Sequence, residues 1–128
     1  MKRRPLKKVE ATYEEIVQRI IQWAGDEHVI VIGPIVWHPV DGAQSAKLWY
    51  FTVATKGFRL NRIDCYGNEA EAILQRLQIL SMLISKGGIV IHVCEDELKM
   101  ARLCDALWPS EKSRSLLADM EKSWPAHA

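Results

Sequence analysis

The sequence predicts a mixed α/β domain in which helices pack on a mixed sheet, and three observations indicate this class. A pair of alternating apolar strands is joined by a tight turn at Lys56-Gly57. A long apolar helix follows, and a short β-branched segment then lies between two helical patterns. The predicted order is α-β-β-β-α-β-α-α. The first three strands form an antiparallel meander, and the fourth is a central strand parallel to one of them, reached by a right-handed crossover.

Composition bounds the class of protein. The length of 128 residues predicts one domain, residues 10–128, behind a flexible basic arm at residues 1–9. Seventeen basic and sixteen acidic residues leave a net charge of +1, so the chain has no global field that attracts polyanions. The three cysteines form no Cys-x-x-Cys pair, and no signal peptide or membrane span is evident. We therefore expect a cytoplasmic protein without disulfides and without a membrane partner.

The first helix and first strand have clear local signals. Thr12 and Glu15 form a capping box, and Gly25 ends the helix. The apolar positions of this helix recur at the spacing of one face: Tyr13, Ile16, Val17, Ile20, Ile21 and Ala24. Residues 28–38 read as a strand that Gly33-Pro34 interrupts, which predicts a bulge, an edge, or a break into two short strands.

The meander continues with strands at residues 48–54 and 58–66. The apolar phase of the second of these changes near Asn61, which predicts a bulge or a strong twist. The longest helix is then predicted at residues 69–85 and ends at Gly87-Gly88 in a left-handed cap. Its predicted inner face is Ala70, Ile73, Leu74, Leu77, Leu80 and Ile84, widened by Ile79, Met82 and Leu83.

The β-branched segment at residues 89–94 is typical of a central strand. A helix is predicted to start at Glu95 and Asp96 because carboxylates favour the positive end of the helix dipole. Pro109-Ser110 breaks the chain before a final helix. The predicted inner faces of the two helices are Leu98, Ala101, Cys104, Leu107 and Trp108, and Leu116, Leu117, Met120 and Trp124.

Four carboxylates are the first candidate for chemistry: Glu69, Glu71, Glu95 and Asp96. Glu95 and Asp96 follow the carboxyl end of a predicted strand, where α/β sheets place ligands. Glu69 or Glu71 together with Asp96 would be the catalytic residues of a metal-dependent nuclease or other hydrolase. The alternative is that all four are helix-terminal charges on a solvated surface.

The order of a meander, a helix with an early glutamate, a strand ending in an acid and another helix resembles the ribonuclease H-like fold over residues 29–107. The resemblance implies metal-dependent phosphodiester cleavage. Members that cleave carry an aspartate in the middle of the first strand, where this chain reads Val-Ile-Val-Ile-Gly-Pro-Ile-Val-Trp. The sequence also predicts no counterpart of that fold's last strand. A degenerate, nucleic-acid-binding member is therefore the form that the resemblance allows.

Histidine and cysteine give a second candidate. His92 and Cys94 are two residues apart on a predicted strand and share a face, and Cys65 lies on another strand. They would form a metal site or a nucleophilic pair, or else His92 is a core histidine beside inert buried thiols. No His-x-x-x-His or Cys-x-x-Cys spacing supports a metal, and no metal or cofactor is predicted.

Basic and aromatic residues supply the remaining candidates. The residues that would bind nucleic acid are Lys2, Arg3, Arg4, Lys7, Lys8, Lys56, Arg59 and Arg62. Arg59 and Arg62 share a face of their strand only if a bulge intervenes. Trp37 and Trp124 are the tryptophans hardest to place in a core, so they are candidate interface residues.

These observations favour a small cytoplasmic, non-enzymatic interaction module that binds a protein partner or itself as a homodimer. The first alternative is a nucleic-acid-binding protein, for example a degenerate ribonuclease H-like domain. The second is a metal-dependent nuclease or other hydrolase. The leading hypothesis depends on the absence of a specific catalytic motif and on the five tryptophans.

Overall fold

The computed structural model describes residues 12–40, 43–65 and 67–124. The predicted basic arm, residues 1–9, lies outside them. In chain order the elements are α1 (Tyr13–Ala24), β1 (Val29–Ile32), β2 (Val36–Val40), β3 (Ala43–Thr55), β4 (Arg59–Cys65), α2 (Glu69–Ser85), β5 (Ile89–His92), α3 (Glu97–Leu107) and α4 (Glu111–Ser123). A short 3₁₀ turn, Gly25–Glu27, joins α1 to β1. The predicted order is confirmed, with the first strand divided in two.

The sheet is built around β3, the longest strand. β4 pairs antiparallel with one side of β3, and β2 and β1 pair antiparallel with successive parts of its other side. β5 lies beside β1 and runs parallel to it, with Val29 opposite Ile89. The meander and the parallel fourth strand are therefore confirmed in a mixed five-stranded sheet.

The break between β1 and β2 lies at Gly33-Pro34, as the sequence predicts. The Gly33 amide donates to the carbonyl of Thr52 at 2.8 Å. A Cβ at Gly33 would collide with the sulfur of Met100 and approach the Thr52 carbonyl oxygen to 3.2 Å. Glycine is favoured here because strand β3 and helix α3 both approach the backbone closely.

The fourth predicted strand is not in the centre of the sheet. In the described part of the chain β5 pairs only with β1, so it is an edge strand. Val90 packs with the core on one face of the sheet and Ile91 with the core on the other face. An apolar run indicates that both faces of a strand are covered, and this does not require a neighbouring strand at both edges.

Of the two alternatives predicted near Asn61, the bulge is wrong. The β3–β4 ladder keeps one register from Trp49 opposite Cys65 to Thr55 opposite Arg59. The apolar alternation along β4 changes its phase because the apolar side chain of Leu60 remains half-exposed on one face of the sheet. On the other face Arg59 covers the α1 side chain Trp23, with its guanidinium carbon 3.9 Å from the ring centroid.

Helices cover both faces of the sheet. α1 and α2 pack on one face, against a core that includes Ile30, Ile32 and Phe51. α3 packs on the other face against a smaller core that includes Val31 and Ala54, and α4 packs on α3. All three cysteines are free. Among the described ranges, no helix combines the length and hydropathy that a membrane crossing requires.

Candidate interaction surface

Helix α2 has well-defined ends. Asn68 caps its amino end and forms a capping box with Glu71, with both hydrogen bonds at 2.9 Å. At the other end Gly87 adopts a φ of +92°, and the Gly88 amide donates to the carbonyl of Leu83 at 2.9 Å. The predicted left-handed glycine cap is thus confirmed.

The face of α2 that packs on the sheet differs from the predicted one. The buried residues of the helix are Ala72, Arg76, Ile79 and Leu83. The residues predicted to form the inner face point largely to solvent: Ile73 is 45% exposed, Leu74 64%, Leu77 50% and Ile84 56%. We call these four residues the outer apolar face of α2. The prediction failed because both sides of this helix are apolar, so periodicity alone selects no inner side.

The outer side of α2 also lacks charge. Between Ala72 and Ser85 the only charged residue is Arg76, and it is buried. The other exposed residues in this segment are Gln78, Ser81 and Ser85. A helix that faces water normally carries charged side chains on its outer side, whereas the centres of protein interfaces are depleted of charge. This helix therefore has the composition of an interface.

The open edge of β5 lies next to α2, which packs against this strand. The amides of Ile89 and Val93 donate towards β1, to the carbonyls of His28 at 2.7 Å and Ile32 at 2.9 Å. Because backbone groups alternate along a strand, the amides and carbonyls of Val90 and His92 face the open edge. An unpaired edge beside an apolar helix face is a ready site for pairing with another chain.

Arg76 is a buried cation on the sheet-facing side of α2, and the sequence analysis missed it. Its Nε donates to the Gly33 carbonyl at 2.7 Å, and its Nη2 donates to the Val93 carbonyl at 3.2 Å and to the Ile32 carbonyl at 3.4 Å. Burial lowers the pKa of Arg76, and the neighbouring Cys94 opposes this shift. The guanidinium thus joins the carboxyl ends of β1 and β5 to α2. The available signal was a single charge in a long apolar segment.

His92 and Cys94 meet at the same end of the sheet. The Sγ of Cys94 is 3.7 Å from Nδ1 of His92, and a terminal nitrogen of Arg76 is 3.3 Å from the same Nδ1. Cys94 lies after the end of β5 and is exposed, so it is not the buried strand thiol that the sequence predicts. Cys65 is buried in the core under α1 and α2 and does not join them. Burial raises its pKa to about 11.

Two of the four candidate carboxylates cap helices. Glu71 belongs to the capping box of α2, and Asp96 caps α3 by accepting from the Lys99 amide at 2.8 Å. Glu95 is 3.7 Å from the ammonium of Lys99, and Glu69 is exposed in the first turn of α2. In the part of the chain that the structure describes, no three His, Cys, Asp or Glu residues converge as metal ligands. The catalytic assignment of Glu69, Glu71 and Asp96 stays a prediction.

The predicted nucleic-acid residues are dispersed. Lys2, Arg3, Arg4, Lys7 and Lys8 lie outside the described residues. Lys56 is exposed in the β3–β4 turn. Arg59 covers Trp23 on the α1 side, whereas Arg62 lies over Tyr50, its guanidinium carbon 4.1 Å from the ring centroid. Since the ladder is regular, the two arginines face opposite sides of the sheet.

The two candidate interface tryptophans lie in different settings. Trp37, on β2, is exposed and packs beside Trp49 with ring centroids 6.4 Å apart. The ammonium of Lys47 lies 4.4 Å from the Trp37 ring centroid. Trp124 follows α4 and is half-buried. The outer apolar face of α2 is a larger exposed apolar surface than either indole.

No protein-family model matches the chain, no curated protein is significantly similar to it, and no solved structure matches it. The resemblance to the ribonuclease H-like fold is therefore not confirmed.

Proposed function

We propose that this protein is a self-associating interaction module, and that a second copy of the chain covers the outer apolar face of α2 and the open edge of β5. The observation that carries the proposal is the exposed, uncharged and apolar outer side of α2. Its four exposed aliphatic side chains lie on one side of the helix, with Ile84 two turns beyond Leu77 and the partly buried Leu80 between them, so they form one surface.

Geometry favours a second copy as the occupant. A two-fold axis perpendicular to the sheet beside β5 would pair this strand antiparallel with its own copy. The backbone groups of Val90 and His92 would then find partners across the axis. The same operation keeps both α2 helices on one face of the extended sheet and brings them together. One closed, isologous contact would thus cover both features.

The free energy available from this contact predicts a weak dimer. Full burial of one leucine or isoleucine is worth about 1.5–3 kcal/mol, so burying the exposed half contributes about 1 kcal/mol. Eight such side chains, four from each copy, contribute about 8 kcal/mol. Association itself costs at least about 4 kcal/mol. Hydrogen bonds along β5 add about 0.5–1.5 kcal/mol each, so we expect a Kd in the micromolar to submillimolar range.

Light scattering coupled to size-exclusion chromatography tests the proposal on the full chain. Over loading concentrations from about 1 µM to 1 mM, which span the expected Kd, the mass should rise from 14.6 kDa towards twice that value. A mass that stays at 14.6 kDa throughout would refute self-association.

Hydrogen exchange locates the contact. The amides of Val90 and His92 should exchange more slowly as the concentration rises, because they face the open edge of β5. Leu60 on β4 is also half-exposed, and the amides around it should show no concentration dependence. A dimer in which β5 exchange is unaffected would exclude the proposed strand pairing.

A further inference from the structure

A small cavity lies on the side of the sheet opposite α2. It has a volume of about 150 Å³ and is bounded by the β3–β4 hairpin, α3 and α4. Its wall is mainly apolar, formed by Phe58, Leu60, Met100 and Met120, and its polar members are Thr52 and Glu97. A dry apolar cavity of about 150 Å³ in another protein accepts benzene, so this volume suits a ligand group of that size.

Glu97 gives the cavity a negative charge. This carboxyl is half-buried in the first turn of α3, and burial raises its pKa while Arg62 opposes the rise. In the described part of the chain no hydrogen bond or ion pair engages the Glu97 carboxylate. Its charge at the cavity is therefore uncompensated by direct contact.

Arg62, the cation that acts on Glu97, already contacts other groups. Nε of Arg62 pairs with Asp64 at 2.8 Å, and a terminal nitrogen lies 2.9 Å from Nε2 of His38. The guanidinium also lies over the ring of Tyr50. Arg62 therefore offsets the charge of Glu97 without forming an ion pair with it, and the Glu97 side chain still lines an apolar space.

We propose that this cavity is a binding site for a small organic cation, a primary ammonium attached to an apolar group of about the size of a benzene ring. The apolar group would fill the space between Met100 and Met120, and the ammonium would pair with Glu97. A half-buried ion pair is stronger than a fully exposed one because water screens it less. The site is independent of self-association, since it lies on the α3 side of the sheet.

Titration with benzylamine, a protonated amine at neutral pH, tests the site, with benzyl alcohol as the uncharged probe of similar shape. The methyl signals of Met100 and Met120 report binding by NMR. We expect saturable shifts with benzylamine and a Kd on the order of 1 mM, the range for a ligand of this few atoms. Benzyl alcohol should bind at least about fivefold more weakly, because it cannot form the ion pair with Glu97.

Two matched variants test whether the charge of Glu97 itself contributes to binding. Glu97→Gln should weaken benzylamine about fivefold, to the level of benzyl alcohol. Glu95→Gln removes a nearby carboxylate that pairs with Lys99 and does not line the cavity, so it should leave the affinity unchanged. Absence of saturable shifts with benzylamine, or equal affinity in wild type and Glu97→Gln, would overturn the proposal.

Discussion

Replacing Arg76 by methionine tests how the sheet is held to α2. The substitution keeps a long apolar stem and removes the guanidinium that reaches the carbonyls of Gly33 and Val93. Both residues are buried, so water does not readily replace the lost donors. The Ile32 carbonyl keeps a partner, because it also accepts from the Val93 amide at 2.9 Å.

The expected loss of stability follows from the two carbonyls, of Gly33 and Val93, that lose their donor. Leaving a buried acceptor unpaired costs about 1–3 kcal/mol, so the pair costs about 2–6 kcal/mol. Removing a buried charge returns part of this, because the guanidinium no longer has to be desolvated. We therefore expect Arg76→Met to lower the free energy of unfolding by about 3 kcal/mol. This is a large part of the 5–15 kcal/mol typical of a domain.

Urea denaturation followed by tryptophan fluorescence measures the change. With a denaturant slope of about 2 kcal/mol per molar, the midpoint should fall by about 1.5 M. Arg102→Met is the matched control, because Arg102 is exposed and pairs with Glu121 at 3.0 Å. Its loss should stay below about 1 kcal/mol. Equal midpoints for the two variants, compared at one low protein concentration, would refute the argument for Arg76.

Two further predictions concern the surface. Leu74→Glu should raise the dimer Kd at least about 100-fold, because it removes apolar area and places like charges across the contact. The control, Leu116→Glu, makes the same substitution at an exposed leucine of α4 and should leave the light-scattering masses unchanged. A loss of dimer in both variants would contradict the proposed surface. In the native protein at mildly alkaline pH, iodoacetamide should label Cys94 well before Cys65 and Cys104. Cys94 is exposed beside His92, whereas burial raises the pKa of the other two thiols to about 11 and about 12. Peptide mapping by mass spectrometry measures this order, and uniform labelling of the three would be the contrary result.

The order of elements could be predicted because the signals are local. The capping box at Thr12 and Glu15, the break at Gly33-Pro34 and the glycine cap after α2 depend on neighbouring residues. Each was confirmed in the structure. Short segments of sequence determine these features, and tertiary packing does not change them.

The orientation of α2 could not be predicted because it depends on contacts between distant elements. A helix that is apolar on both sides fits the sheet by either side. The buried side is the one that carries Arg76, which contacts Gly33, 43 residues earlier in the chain. No periodicity within the helix carries that information.

The same limit applies to the site. His92 and Cys94 were expected to be neighbours from their spacing, but their exposure depends on where β5 ends and on its position at the edge of the sheet. The cavity beside Glu97 is formed by a hairpin and two later helices, so none of its segments reveals it alone.

The parallel pairing of β5 with β1 has a consequence for the order of folding. The hairpins around β3 join residues close in sequence, whereas Val29 and Ile89 are 60 residues apart. Closing that long loop costs more entropy than closing a hairpin, so the meander should assemble before β5 docks. The open edge of β5 would then form last, when most other apolar surface is already covered. We therefore expect the proposed pairing of two copies through β5 to follow the folding of each chain.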